Sequence, residues 1–333
     1  MKEALFYKKL KNKVQCNLCP HNCVIKEEST GLCRVRKNIK GKLYSLVYAK
    51  PVAIQLDPLT KKPLYHFLPG ENALSIGTVG CQMACWSCQN YHISQANPEE
   101  YQINEVPPEK IIEMCIKNNC RVIAYTYNDP VVFYEYMLDI AKLAKKNGIK
   151  NIIVSNGYIN EEPLKELCKY IDAANIDLKS MSNKFYEKYC NGRLAPVLNC
   201  LKILKKEKVY FEITNLIIPG ANDKSKDFER LANWISENLG DIVLHFSRFF
   251  PMYKLEDVKE TPVKTMDMAK KIGEKYLSYV YLGNINNESN TYCRKCNKLL
   301  IERKGYNIGR INIKKSKCTG CGERITGIFE VIG

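Results

Sequence analysis

The chain has 333 residues, of which 45% are hydrophobic, and a formal charge of +16 from 51 Lys and Arg against 35 Asp and Glu. Such a length buries at least one large core and allows two domains. It holds no apolar run long enough to span a membrane, and no apolar segment follows the lysines of Met1–Lys13, which argues against a membrane or exported protein and for a cytoplasmic one.

In chain order, residues 1–70 carry a first group of cysteines among short segments punctuated by Gly, Pro and Lys. Residues 71–285 then alternate strand and helix signals. Strands are predicted at Leu74–Val79, Arg121–Tyr125, Asn151–Ser155, Ala173–Leu178, Val209–Ile218 and Ile242–Phe246, with a further candidate at Tyr279–Leu282. Most are short, β-branched and almost continuously apolar, as strands buried on both faces of a parallel sheet are. Between them, Phe133, Met137, Ile140, Ala141 and Ala144 share one helical face, with Gly148 at the C-terminal cap. Pro163 begins the next helix, whose inner side holds Leu164, Leu167, Cys168 and Ile171; Val197, Cys200, Leu201 and Leu204 repeat the pattern. About six strand–helix units imply a parallel α/β sheet with right-handed crossovers, either doubly wound or an open, partial barrel. In both, ligands gather at the C-terminal ends of the strands. Residues 286–333 form a strand- and turn-rich tail with the last group of cysteines.

Sixteen cysteines in a chain without an export signal point to metal thiolates rather than disulfides, and eleven of them fall into three groups. The middle group is Cys81, Cys85 and Cys88, a C-x3-C-x2-C loop directly after the first predicted strand. Three thiolates suit a cubane of four irons with one iron lacking a protein ligand, and an open iron can bind a substrate or cofactor as well as carry an electron. A structural zinc there needs a fourth ligand from elsewhere. Polar groups stand at the following strand ends: Asn128 and Asp129, then Asn156, then Asp177 and Lys179, then Pro219 and Gly220, then His245 and Arg248. The predicted sheet brings them to one rim beside the cysteine loop. Simpler readings stand beside this one: a turn before Pro130 for Asn128 and Asp129, a helix cap for Asp177, a satisfied core histidine for His245 and a surface cation for Arg248. Cys115, Cys168 and Cys200 lie on apolar helix faces and read as core.

Cys293, Cys296, Cys318 and Cys321 form two CxxC pairs, with Gly320 and Gly322 in the second, a spacing that matches a zinc ribbon, with a single iron as the alternative. Cys16, Cys19, Cys23 and Cys33 close another four-thiolate site. It suits zinc, slightly favoured, or an auxiliary iron–sulfur cluster, with His21 able to replace one thiolate. Metal thiolates cancel part of the positive charge. The lysines are dispersed, so the remainder reads first as a solvated surface and second as a preference for an acidic partner: nucleic acid, a phosphorylated metabolite or an acidic protein.

On these residues the chain resembles the radical S-adenosylmethionine (SAM) superfamily, and within it the branch related to pyruvate formate-lyase activating enzymes. Cys16 to Cys23, Lys62 to Gly70, Cys88-Gln89-Asn90, Tyr125 to Pro130 and Asn290 to Cys293 resemble most closely the radical SAM component of the AmmeMemoRadiSam system. The resemblance implies a partial (β/α)6 TIM-type barrel over 71–285, with small metal-binding modules at 1–70 and 286–333. It implies a [4Fe–4S] cluster on Cys81, Cys85 and Cys88, SAM on the open iron, reductive cleavage of SAM to a 5′-deoxyadenosyl radical, and hydrogen abstraction from a substrate. It implies SAM contacts from Asn128 and Asp129 to the methionine amine, from Asn156 to the ribose, from Asp177 and Lys179 near the methionine carboxylate and from Pro219 to the adenine, with His245 a further contact. The family's aromatic residue before the third cysteine is replaced by Ser87, with Trp86 one place earlier, which leaves Trp86, Tyr91 or backbone groups to serve the adenine. It further implies a low-potential electron donor such as ferredoxin or flavodoxin, and association with Memo- and AMMECR-family proteins. Three functions follow: activation of a macromolecule, with the hydrogen taken from a glycine of a partner enzyme; radical chemistry on RNA or a small metabolite; or a non-catalytic electron-transfer or binding protein, against which the open iron stands.

Overall fold

A computed structural model of the chain describes residues 1–286 and 289–330. Its main sheet has eight strands in sequential order: β1 (Ala53–Pro58), β2 (Asn72–Gly77), β3 (Val122–Tyr125), β4 (Lys150–Ser155), β5 (Ala173–Asp177), β6 (Tyr210–Ile217), β7 (Leu244–Arg248) and β8 (Val280–Gly283). β1 runs antiparallel to β2, and every later pair is parallel. The crossovers pass through α1 (Pro108–Lys117), α2 (Tyr134–Lys146), α3 (Glu161–Cys168), the pair α4 (Asn183–Cys190) and α5 (Leu194–Lys206), α6 (Ser225–Leu239) and α7 (Val263–Gly273). Right-handed crossovers in a sequential sheet collect the helices on one face and curl the sheet about the other. Among the described residues the end strands β1 and β8 are not paired with each other, so the sheet is an open, partial barrel of strand–helix units ending in β8. The candidate strand at Tyr279–Leu282 forms as β8, while β1 has no counterpart among the predicted strands. It is an edge strand with Gln55 and Leu56 exposed and Pro58 at its end, so it lacks the continuous apolar signature of its neighbours.

Strand side chains alternate between two cores. Leu74, Ile76, Ile123, Ile153 and Ile176 join Ile111, Met137, Ile140 and Leu164 of the helices in the larger one. Ala73, Val122, Ala124, Ile152 and Ala173 pack instead on Leu59, Leu64, Phe67 and Leu68, a segment that plugs the N-terminal mouth of the barrel. Each fully buried Leu or Phe of this plug contributes about 1.5–3 kcal/mol. Farther along, the inward positions turn polar: Asn175, Glu212, Thr214 and His245 are buried and hydrogen-bonded. The same period of two carries Asn156 and Asp177 to the C-terminal rim.

Residues before β1 form two small antiparallel sheets, Lys2–Glu3 with Lys42–Ser45 and Arg36–Ile39, and Tyr7–Leu10 with Lys13–Cys16 and Val24–Lys26. The tail folds as a three-stranded sheet of Thr291–Tyr292, Leu299–Lys304 and Asn307–Ile311 with a further hairpin, Ile313–Lys314 and Lys317–Cys318. It returns to the plugged end of the barrel. Arg303 donates to Thr291 Oγ1 (2.7 Å) and to the Tyr65 carbonyl (2.8 Å), and Ile328 pairs across to His66 and Leu68. No helix among the described residues is long and apolar enough to cross a membrane.

Candidate active site

The loop bearing Cys81, Cys85 and Cys88 leaves the C-terminal end of β2 and is held from every side. Asn128 accepts from Thr78 N (3.1 Å) and donates to the carbonyls of Gly80 (2.9 Å) and Val79 (3.3 Å). His21, from the N-terminal segment, lies 2.8 Å from the Gln82 carbonyl, and Gln95 Nε2 donates to the Met83 carbonyl at 3.1 Å. The end of α4 supplies two more anchors. Ala84 N donates to the Cys190 carbonyl (3.0 Å) and Trp86 N to that of Tyr189 (2.9 Å), so helix-terminal acceptors that lack intrahelical partners are satisfied by the loop. Gly80 adopts φ +87°, and a Cβ there would stand 2.5 Å from Val35 Cγ1 and 2.6 Å from the Cys33 carbonyl oxygen; only glycine allows the loop this close to the N-terminal cysteines.

Each loop sulfur has a polar neighbour. Cys81 Sγ receives Met83 N (3.4 Å) and Asn156 Nδ2 (3.8 Å), and Cys88 Sγ lies 3.2 Å from Ser94 Oγ. The Cys190 thiol hydrogen-bonds Cys85 and lowers its pKa, whereas burial raises that of Cys81 far above the usual thiol range. Beside them Lys179 Nζ pairs with Asp177 at 2.8 Å. Burial opposes the charge of Lys179, but Asp177 and the thiols of Cys85 and Cys190 outweigh it and lift its pKa well above an ordinary lysine's. Asn215 and Asn222 brace this segment by donating to the Lys179 carbonyl at 3.1 and 2.7 Å.

The other predicted contacts divide. Asn156 reaches the site, where its Oδ1 accepts from Gln82 Nε2 at 3.1 Å. Asp129 is spent on protein: it accepts from Val131 N (3.0 Å), Ser155 Oγ (3.0 Å) and Asn156 N (2.7 Å), the geometry of a turn before Pro130. Burial raises its carboxyl above the usual range, and these donors only partly offset that. Pro219 lies in the loop after β6, with the Asn222 side chain closing that loop on Ile218 N at 2.7 Å. His245 is not brought to the rim. It sits in the first half of β7, 2.5 Å from Glu212 and packed on Tyr65 and Tyr281, so it belongs to the barrel's base. Arg248 ties down the Thr261 carbonyl (2.7 Å) and Glu260 (2.6 Å). Trp86 packs edge-on against Tyr189, and Tyr91 stacks on Tyr253. Gln82, Cys190, Asn215 and Asn222 carried no spacing signal of their own; their roles come from tertiary contacts.

The radical SAM superfamily model matches residues 75–235, a stretch that takes in the cysteine loop and reaches α6. The chain belongs to the radical SAM superfamily. This radical SAM protein is 45% identical to the Methanocaldococcus jannaschii protein MJ0808 over 98% of its own length and 99% of that chain. It is 22% identical to the Escherichia coli K12 pyruvate formate-lyase 1-activating enzyme over 59% of its length and 86% of that enzyme. Its fold is similar to that of Streptococcus suis SuiB bound to S-adenosylmethionine, with a TM-score of 0.53 and 14% identity over 68% of this chain and 53% of that one. Radical SAM membership implies a [4Fe–4S] cluster and SAM, and the cysteine loop fits the cluster. Three thiols come from one braced loop, each sulfur has a hydrogen-bonding neighbour of the kind that tunes cluster ligands, and a lysine offsets negative charge beside Cys85.

A second candidate metal site lies at the base. The sulfurs of Cys293, Cys296, Cys318 and Cys321 all lie within 4.8 Å of one another, with Cys293–Cys321 at 3.6 Å and Cys296–Cys318 at 3.7 Å. Zinc–sulfur bonds of about 2.3 Å in a tetrahedron separate sulfurs by about 3.8 Å, so the four thiols fit a single ion.

Proposed function

We propose that this protein is a radical SAM enzyme that abstracts hydrogen from its substrate in the manner of the glycyl-radical activases, with RNA or a small metabolite as the alternative substrate. The observation that supports it is one loop offering three thiols at the barrel's C-terminal rim, with the Lys179–Asp177 pair against Cys85. When bound there, the cluster and SAM supply reductive cleavage to a 5′-deoxyadenosyl radical, the hydrogen-abstracting species. The chain's own residues do the rest. Cys81, Cys85 and Cys88 would hold the cluster. Lys179 meets the SAM carboxylate, and Asp177 keeps that lysine charged and oriented. Asn156 stands at the ribose, Pro219 shapes the adenine side, and Asn128 and Asp129 position the loops rather than touch the reacting atoms. Residues 1–70, 71–285 and 286–333 serve as metal module, catalytic core and zinc ribbon, with β1 lending the core its edge strand.

A ferredoxin or flavodoxin is the fitting electron donor, and the motif likeness to the AmmeMemoRadiSam system makes Memo- and AMMECR-family proteins the partners to test. The charge of +16 favours RNA as the second substrate reading. Anaerobic protein with SAM and dithionite is expected to yield 5′-deoxyadenosine, and Cys85→Ala none. Absence of product under strong reduction refutes the enzyme. Deuterium carried from labelled protein, RNA or metabolite pools into 5′-deoxyadenosine then selects the substrate class.

A further inference from the structure

We propose that Cys16, Cys19, Cys23 and Cys33 hold a second four-iron cluster, seated directly against the catalytic cysteine loop. All four cysteines line one largely apolar cavity, bordered also by Val131 and Val132. At the C-terminal site the sulfurs are drawn together to 3.6 and 3.7 Å, as one tetrahedral ion requires. The N-terminal sulfurs, among the described residues, are not gathered in that way. A cubane places its own irons and sulfides between the thiolates, so it holds them farther apart than a lone zinc does.

Arg36 supplies an independent observation. Its side chain is 2% exposed and borders the same cavity. Glu135 takes its Nη2 at 2.6 and 2.7 Å, but its Nε has no hydrogen-bond partner. A buried guanidinium N–H without an acceptor is destabilising. A cluster that is anionic and rich in thiolate and sulfide sulfur supplies the acceptor.

The placement gives this cluster a role. The Cys33 carbonyl presses on Gly80, next to Cys81, and His21 meets the Gln82 carbonyl, so the two sites share a wall. A cluster held there would stand between a low-potential donor of the ferredoxin or flavodoxin class and the cysteine loop, and would pass on one electron at a time, returning to its oxidised state after each. This transfer rests on the proposed radical SAM function; the identity of the metal does not.

The test uses the full chain, reconstituted anaerobically, and a variant with Cys81, Cys85 and Cys88 all changed to alanine. About eight irons and eight labile sulfides are expected in the wild type and about four of each in the variant. The dithionite-reduced variant is expected to keep a paramagnetic iron–sulfur signal, lost when Cys19→Ala and Cys23→Ala are added. Because that last variant can fail by misfolding, iron X-ray absorption on the first variant identifies the metal independently, with iron–iron scattering expected. Zinc at this site, without labile sulfide or iron–iron scattering, overturns the proposal. If the four irons are present and 5′-deoxyadenosine is not formed, the enzymatic reading fails and this one stands.

Discussion

Asn128 and Asp129 spend their side chains on the backbone around the cysteine loop, and the consequences are measurable. Asn128→Ala leaves Thr78 N and the Gly80 carbonyl without their partner, and is expected to cost about 1–3 kcal/mol in chemical denaturation. Gly80→Ala drives a Cβ into Val35 and the Cys33 carbonyl at a left-handed φ, and is expected to cost at least about 1–3 kcal/mol. Lys179 differs, because its partners are Asp177 and sulfur-bearing neighbours at the rim. Lys179→Gln is expected to weaken SAM binding about tenfold, or ~1.4 kcal/mol, by equilibrium titration of the reconstituted protein. Unchanged affinity would reduce the pair to a structural contact. The cysteine loop was legible because metal ligands must be clustered in sequence to be held by one turn. The partners of Asn128, Asp129 and His245 were not legible, since each is chosen by a residue distant in sequence: Gly80, Asn156 and Glu212.

The parallel strands were legible because burial on both faces makes their sequences continuously apolar. β1 escaped because an edge strand carries no such signature. The segment Lys62–Gly70 was visible only as a motif, and the fold gives it a task. Backbone N–H groups of Tyr65 and His66 donate to Glu212 at 3.0 and 2.7 Å, and the His66 ring bridges Tyr281 Oη and the Thr326 carbonyl, each at 2.7 Å. Burial pushes the pKa of His66 down to about 4. A histidine depressed in the folded state takes up its proton first in the unfolded chain, so stability is complete above about 6.5 and is lost as pH falls toward about 4. The loss from this group is on the order of 3 kcal/mol. Melting temperature against pH is expected to fall through that window in the wild type and to be flatter in His66→Gln. An equal slope in both would remove His66 as the acid-sensitive latch.

Across the whole molecule, the two ends of the barrel carry different duties. The C-terminal rim gathers the Cys81–Cys88 loop, the N-terminal cysteines and the Asp177–Lys179 pair, while the C-terminal tail closes the plugged base through Arg303, Tyr65 and Ile328. The tail has a small core of its own, made of residues such as Leu300, Ile301 and Ile325 packed on Tyr279 and Tyr281. Metal removal by a chelator is therefore expected to cost several kcal/mol and to lower the melting temperature in step with metal release, measured by calorimetry and a colorimetric zinc assay. Melting that is insensitive to chelation would mean that the tail is held by packing alone.

The proposed catalysis turns on an iron that Cys81, Cys85 and Cys88 would leave without a protein ligand. Electron paramagnetic resonance of the anaerobic, reduced protein tests it directly, recorded with and without SAM, with the signal of the variant lacking Cys81, Cys85 and Cys88 subtracted. The expected result is a [4Fe–4S] spectrum whose g-values shift when SAM is added and which is missing when Cys85 is alanine. A spectrum indifferent to SAM, or a loop that binds only zinc, contradicts it.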